Sequence, residues 1–271
     1  MTFQLRLPNI PELPEAADAS DTEGCIQCQM GSKLVLFITG HCHWMCDYCP
    51  LSENRREIDF MYANERRVEI GDWGAVIEEA QAMNATGAGI TGGDPVMARE
   101  RVLEGCRILK TEFGDGFHLH MYTSIPFKAE WAAEFAEAGL DEIRFHFLDL
   151  KAEKYRETIA ACTAAGMLTG VEIPTEPDKA DELFELLETL RGMDVQFLNL
   201  NELEITVGNH DNMVVRGFNL SDEITAGAAG SAELSVRMRD RVIAAQIGAP
   251  DPEDGEVREA YPYHLKFCTS T

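Results

Sequence analysis

Between residues 33 and 200, short apolar runs rich in β-branched side chains alternate with amphipathic stretches of helical period. This alternation restricts the fold more than any other feature of the 271-residue chain. Runs at 33–39, 88–91, 117–122, 142–147, 168–173 and 195–200 read as strands. The first intervening helix starts at Asp72, a capping residue, and carries Trp73, Val76, Ile77, Ala80 and Met83 on one face. Helices over 97–113, 129–138, 152–165 and 178–190 follow, the last three stopping at Gly139, Gly166 and Gly192. Strand and helix in strict succession imply right-handed crossovers and a parallel sheet. Six such units are two short of a complete eight-unit barrel. The expected fold is therefore α/β: a partial (βα)6 TIM-like barrel with parallel strands, plus an irregular C-terminal extension. A doubly wound open sheet is the other arrangement of the same units, and in both the reactive side chains gather at the strand C-termini.

Three segments follow from this reading. Residues 1–30 form an N-terminal arm, Pro-rich and acidic, with a short strand at 3–7 and then Cys25-x2-Cys28. Residues 31–200 form the core. Residues 201–271 form an extension packed on it, with a polar loop at 208–212, a helix over 232–246 and a last strand at 263–267. With 47 acidic against 23 basic residues the net charge is -24, which repels phosphate backbones and anionic lipid. The arginine pairs Arg55-Arg56 and Arg66-Arg67 are flanked by glutamate, so no basic patch reverses that sign. Such an acidic surface also suits a protein working in high salt. The longest apolar stretch, at 34–38, is far short of the ~18 residues of a membrane span, and the first residues lack a secretory pattern. A cytoplasmic location is expected, without membrane or generic nucleic-acid partners.

Eight cysteines under those conditions point to metal before disulfides. Cys42-x3-Cys46-x2-Cys49 lies on the loop after the first strand, within His41-Cys42-His43-Trp44-Met45-Cys46-Asp47-Tyr48-Cys49-Pro50. Even fully extended, this segment spans at most ~28 Å, so its thiolates fold readily around one ion or cluster. A cubane needs four iron ligands, and three cysteines leave one iron open to a substrate or cofactor. A zinc site completed by His41 or His43 competes with it, as does an iron–sulfur module that only carries electrons.

The three-cysteine motif with an aromatic residue before its last cysteine, placed after the first of six βα units, resembles the radical S-adenosylmethionine (radical SAM) superfamily, in particular its activating-enzyme-like and archaeal members. The resemblance covers residues 31–200. It implies a [4Fe-4S] cluster on Cys42, Cys46 and Cys49, whose fourth iron takes the amino and carboxylate groups of S-adenosylmethionine. In that superfamily one electron splits the sulfonium, and the resulting 5'-deoxyadenosyl radical abstracts hydrogen from a substrate. Here the substrate would be a peptide, a protein or a small metabolite, and a flavodoxin- or ferredoxin-type protein would supply the low-potential electron. The family's Gly-Gly-Glu-Pro turn has its counterpart in Gly92-Gly93-Asp94-Pro95, one methylene shorter at the acid. By the same resemblance Tyr48 contacts the cofactor. So, by their position at strand ends, do Thr123, Ser124, Arg144 and Glu172, with His146, Asn199 and Asn201 nearby.

Cys25, Cys28, His264 and Cys268 together offer four ligands to a zinc ion or a second iron–sulfur cluster stapling the two chain ends. Cys106 and Cys162 share helix faces with apolar residues and read as core. Glu202, Glu204, His210 and Asp211 are placed to face substrate.

Overall fold

Along the chain, α1 (Glu23–Gln29) precedes β1 (Lys33–Phe37), a hairpin of β2 (Met61–Ala63) and β3 (Arg66–Val68), and α2 (Trp73–Ala82). The succession continues as β4 (Gly87–Thr91), α3 (Arg99–Phe113), β5 (His118–Thr123), α4 (Ala129–Glu137), β6 (Glu142–Phe145) and α5 (Arg156–Ala164). It ends with β7 (Leu168–Thr175), α6 (Ala180–Leu190), β8 (Phe197–Glu202), α7 (His210–Val215), α8 (Ser231–Ile247) and β9 (His264–Cys268). This computed structural model describes residues 21–222 and 224–269, so the arm at 1–20 and its expected strand lie outside the described residues.

The strands form one nine-stranded sheet in the order β3-β2-β1-β4-β5-β6-β7-β8-β9. All pairings from β1–β4 through β8–β9 are parallel, and the β2–β3 hairpin adds an antiparallel edge. The sheet ends at β3 and β9 without closing, as a partial barrel should. All six expected strands are present. A further strand, β9, expected at 263–267 within the irregular extension, pairs with β8 as a seventh parallel strand. Among the described residues no helix is long and apolar enough to cross a membrane.

The period of two explains how the sheet is clothed. Ala88 and Ile90, Leu119 and Met121, Ile143 and Phe145, and Leu198 and Leu200 belong to one apolar core with the helices, which also buries Cys106 and Cys162 completely. The residues between them on the same strands are polar: His118, His120 and Tyr122, Glu142 and Arg144, Glu172, Asn199 and Asn201. They line the concave face that an unclosed sheet leaves uncovered. Val35 lies on that face and is 50% exposed, so the run at 33–39 is not buried on both sides as its apolar composition suggests.

Arg144 organises the concave face. Its Nε donates to Glu142 Oε1 at 2.5 Å, while Nη1 donates to Glu172 Oε2 at 2.6 Å and to Tyr122 Oη at 3.2 Å. Glu172 also accepts from Asn199 Nδ2 at 3.0 Å and Asn201 Nδ2 at 2.9 Å. Burial alone would raise the Glu172 pKa, but the Arg144 charge and these amide donors hold it below the ordinary carboxylate value. Helix α1 is drawn onto the same face: its cap Thr22 accepts from Arg144 Nη2 at 3.3 Å, and Gln27 accepts from the buried Lys33 Nζ at 3.1 Å.

Removing the cation would leave the buried carboxylates of Glu142 and Glu172 without the guanidinium they share. Arg144→Met is expected to lower the unfolding free energy by about 3–5 kcal/mol, read by urea unfolding at neutral pH. A midpoint equal to that of the unaltered protein would show that the pairing does not carry the concave face.

Candidate functional site

The cysteine loop leaves β1 through a clamp that fixes its first residues. Thr39 Oγ1 donates to Asp59 Oδ1 at 2.8 Å, and Arg101 grips both Asp59 oxygens at 2.9 and 3.0 Å while donating to the Ile38 carbonyl at 2.6 Å. These donors hold the Asp59 carboxyl down at about 2, Arg101 being the main cause. Further along, the Gly40 amide donates to Ile58 O at 3.0 Å, and the Glu57 amide donates back to Gly40 O at 2.8 Å. The far end of the loop is held by residues beyond 200. Asn209 Nδ2 donates to Tyr48 O at 2.8 Å, Asn212 Nδ2 to Asp47 O at 3.0 Å, and Arg216 pairs with the Asp47 carboxylate at 3.3 Å.

The turn after β4 is stitched directly onto this loop. The Gly93 amide donates to Thr39 O at 2.8 Å and the Asp94 amide to His41 O at 2.8 Å. The approach is too close for side chains: a Cβ on Gly92 would stand 2.3 Å from Thr39 O, and one on Gly93 2.2 Å from His41 O. Asp94 is buried and locks the turn to the end of β5. Its Oδ1 accepts from Val96 N at 3.1 Å and Thr123 Oγ1 at 2.9 Å. Its Oδ2 accepts from Ser124 N and Ser124 Oγ, both at 2.7 Å. Burial raises the Asp94 pKa, and these four donors oppose the rise.

One cavity at the strand C-termini is lined by Cys42, Cys46 and Cys49 on one side and by the 92–95 turn with Thr123 and Ser124 on the other. Tyr48 forms part of the wall, its hydroxyl 2.8 Å from His146 Nε2, while His146 Nδ1 lies 3.0 Å from the Glu172 carbonyl. A carbonyl only accepts, so Nδ1 carries the hydrogen and Nε2 accepts from Tyr48. Burial keeps His146 neutral by lowering its pKa and raises that of Tyr48. Glu172 reaches the same cavity, whereas Arg144 faces an adjoining cavity lined by Cys25, Cys28, Glu202, Glu204 and Cys268. Tyr48, His146, Glu172 and Asn201 border both spaces.

The donor set consists of three cysteine thiols on one loop. All three loop cysteines are free and partly exposed. Burial, then the charges of its two partners, pushes the Cys46 thiol up to about 12, and burial with Asp94 and Cys49 nearby raises Cys42 as well. Thiolates gathered this closely need a cationic centre. Among the described residues no three His, Cys, Asp or Glu side chains converge as a single ion requires. Ligands of a cubane sit instead on separate irons. Neither His41 nor His43 lines the cavity, and His43 packs edge-on against Trp44.

Several expected residues are placed elsewhere. His264 and Cys268 are four residues apart on β9, about 13 Å along an extended chain. His264 is exposed at the strand start, and Cys268 lies at the opposite end. The structure thus brings Cys25, Cys28 and Cys268 to one cavity and places His264 at another. His210 and Asp211 pair with each other at 3.1 Å on the surface, away from both cavities, while Glu202 and Glu204 do line the second one. The Arg101–Asp59 clamp and the Arg216–Asp47 pair escape sequence reading, because each joins residues far apart in the chain with no local motif.

A family model described as the radical SAM superfamily matches residues 36–172. A protein of Methanocaldococcus jannaschii named as a glycyl-radical enzyme activating enzyme is 40% identical over 225 residues, covering 80% of this chain. The alignment takes in 59% of that relative, so the chain spans well under two thirds of its length. A Methanothermobacter thermautotrophicus protein named as a GTP 3',8-cyclase is 24% identical over 253 residues, covering 88% of this chain and 78% of the relative. Among solved structures, Streptococcus suis SuiB bound to S-adenosylmethionine superposes with a TM-score of 0.54 at 13% identity, covering 89% of this chain and 50% of that one. That last likeness is one of fold.

Because Asp94 joins turn, strand and neighbouring helix start, its isosteric amide tests the lock. Asp94→Asn keeps one acceptor oxygen and turns an amide toward donors that already point inward. A loss of about 1–3 kcal/mol in unfolding free energy is expected, measured by thermal unfolding of the metal-free protein. An unchanged Tm would mean that the turn is held by its backbone bonds alone.

Proposed function

Because the chain belongs to the radical SAM superfamily and is an enzyme of that class, we propose that its first cavity binds a [4Fe-4S] cluster through Cys42, Cys46 and Cys49 and S-adenosylmethionine through the 92–95 turn, for hydrogen abstraction from a polypeptide substrate. The observation that carries this reading is the meeting of three free thiols and the Gly-Gly-Asp-Pro turn across one cavity at the strand ends. When bound, the cluster and S-adenosylmethionine supply the one-electron cleavage and the carbon radical that the protein's own side chains cannot.

The chain's residues then bind, orient and exclude. The glycines of the turn open its backbone to the ligand, and their missing side chains let it lie against the cysteine loop. Asp94, whose oxygens are engaged by Val96, Thr123 and Ser124, acts as a positioning residue, so carbonyl groups of the turn are left to receive an ammonium group. Pro95 starts the short helix that carries this turn away from the cavity. Tyr48, fixed by His146, offers an aromatic wall beside Cys46 and Cys49. Glu172, buried and ionised against Arg144, gives the floor a fixed negative charge that can hold a cationic or hydrogen-bond-donating part of a ligand. An external low-potential electron donor is required, since the chain holds no other reductant in this reading. The polypeptide substrate rests on the 40% identical relative named as an activating enzyme.

Anaerobically reconstituted protein is expected to be brown, with a reduced EPR spectrum that changes when S-adenosylmethionine is added. Dithionite with S-adenosylmethionine should then yield 5'-deoxyadenosine, and Cys46→Ala should reduce that yield at least a hundredfold in line with the loss of a cluster ligand. Undiminished 5'-deoxyadenosine from the variant would refute the ligand assignment.

A further inference from the structure

Six of the eight cysteines remain once Cys106 and Cys162 are assigned to the core, and they fall into two sets of three. The second set, Cys25, Cys28 and Cys268, is unused by the proposed reaction. These residues are separated by up to 243 positions in the chain, yet they line one cavity that shares walls with the first. Two come from α1, one helical turn apart, and the third from the end of β9 beside Asn201. We propose that Cys25, Cys28 and Cys268 ligate a second iron–sulfur cluster, housed in the cavity next to the S-adenosylmethionine site.

Cys25 is prepared as a thiolate ligand. It is 4% exposed, and its sulfur faces two donors: Arg144 Nη2 at 3.6 Å and Asn199 Nδ2 at 3.4 Å. Donors aimed at a ligating sulfur are the outer shell that orients and tunes metal thiolates. Arg144, whose charge is already paired with Glu142 and Glu172, contributes a hydrogen bond to this sulfur. Helix α1 is held for this task, its cap Thr22 bonded both to the Cys25 amide at 3.2 Å and to Arg144 at 3.3 Å. Cys268 lines the same cavity as Cys25. Cys28 is exposed and lines the same cavity.

A cluster tolerates wider spacing between its ligands than a mononuclear ion does. One ion needs sulfurs about 2.3 Å from a single point, and among the described residues no such convergence occurs. One helical turn keeps the Cys25 and Cys28 Cβ atoms about 5–6 Å apart, a spread that separate irons of one cluster accept. His264 takes no part, being at the far end of β9.

The test uses full-length protein, purified and reconstituted anaerobically, with iron, sulfide and zinc analysis and EPR. Two cubanes per chain correspond to roughly eight irons. The triple variant Cys42→Ala/Cys46→Ala/Cys49→Ala is expected to keep about half of the iron, with an EPR signal unaffected by S-adenosylmethionine. Cys28→Ala, at an exposed position, should lose the other half while keeping the far-UV spectrum, the Tm and the signal that S-adenosylmethionine does alter. The first variant reads the second cluster whether or not the proposed reaction is correct. If the unaltered protein instead shows no response to S-adenosylmethionine while the triple variant keeps its iron, the reaction fails and this site stands. The proposal is overturned if the triple variant is colourless or holds only zinc. It is overturned equally if Cys28→Ala retains all its iron, or if a Cys25–Cys28 disulfide is found in the anaerobic protein.

Discussion

A buried guanidinium decides what the concave face of this sheet can be. An unclosed parallel sheet covers one face with helices and leaves the other without a partner. Here that face is filled by Arg144, with Glu142 and Glu172 on neighbouring strands and α1 drawn across it. The pairing satisfies charges that would otherwise be prohibitive to bury. It also fixes Glu172, whose second oxygen is held by Asn201 and whose backbone carbonyl sets the tautomer of His146. One ion-pair network thus sets the orientation of groups bordering both cavities.

The rigidity required at the other end of the site comes from backbone stitching. The cysteine loop would be free to wander on its own, since a loop with so many exposed residues buries little apolar surface. It is tied at its start to the Asp59–Arg101 clamp, in the middle to the glycine turn, and at its end to Asn209, Asn212 and Arg216. The segment beyond residue 200 accordingly has two tasks. Its α7 region supports the cysteine loop, and its Glu202 and Glu204 contribute to the second cavity.

The fold was largely legible because both of its periods are strong. Apolar alternation at β5 and β6 and helical spacing from Trp73 to Ala80 each leave a local pattern, and the cysteine loop and the glycine turn are contiguous motifs at strand ends. The concave face was less so. Arg144, Glu172 and Asn199 could be named as polar residues in strands, but whether they met a ligand or one another depended on register between distant segments. Helix α1 was hidden for a different reason: its seven residues carry Cys and Gln where an apolar stripe would be expected, since it packs on a polar surface. His264 and Cys268 were legible as a pair on one strand, but not that four residues of strand, about 13 Å, bring only Cys268 to the cavity of Cys25 and Cys28.

The aspartate in the Gly-Gly-Asp-Pro turn shows how a small departure from a family pattern redistributes roles. A longer glutamate at this position would carry its carboxylate one methylene beyond the Cβ of residue 94. The present donors stand 2.7–3.1 Å from the shorter acid and arrive from three directions, Val96, Thr123 and Ser124. They come from the start of the next helix and from the end of the next strand, so the acid is spent in joining two βα units. What the turn can still offer outward is backbone, and backbone is what the bare glycines beside it expose. In the proposed reaction the turn would therefore act through its main chain, with Asp94 fixing the geometry from which it does so.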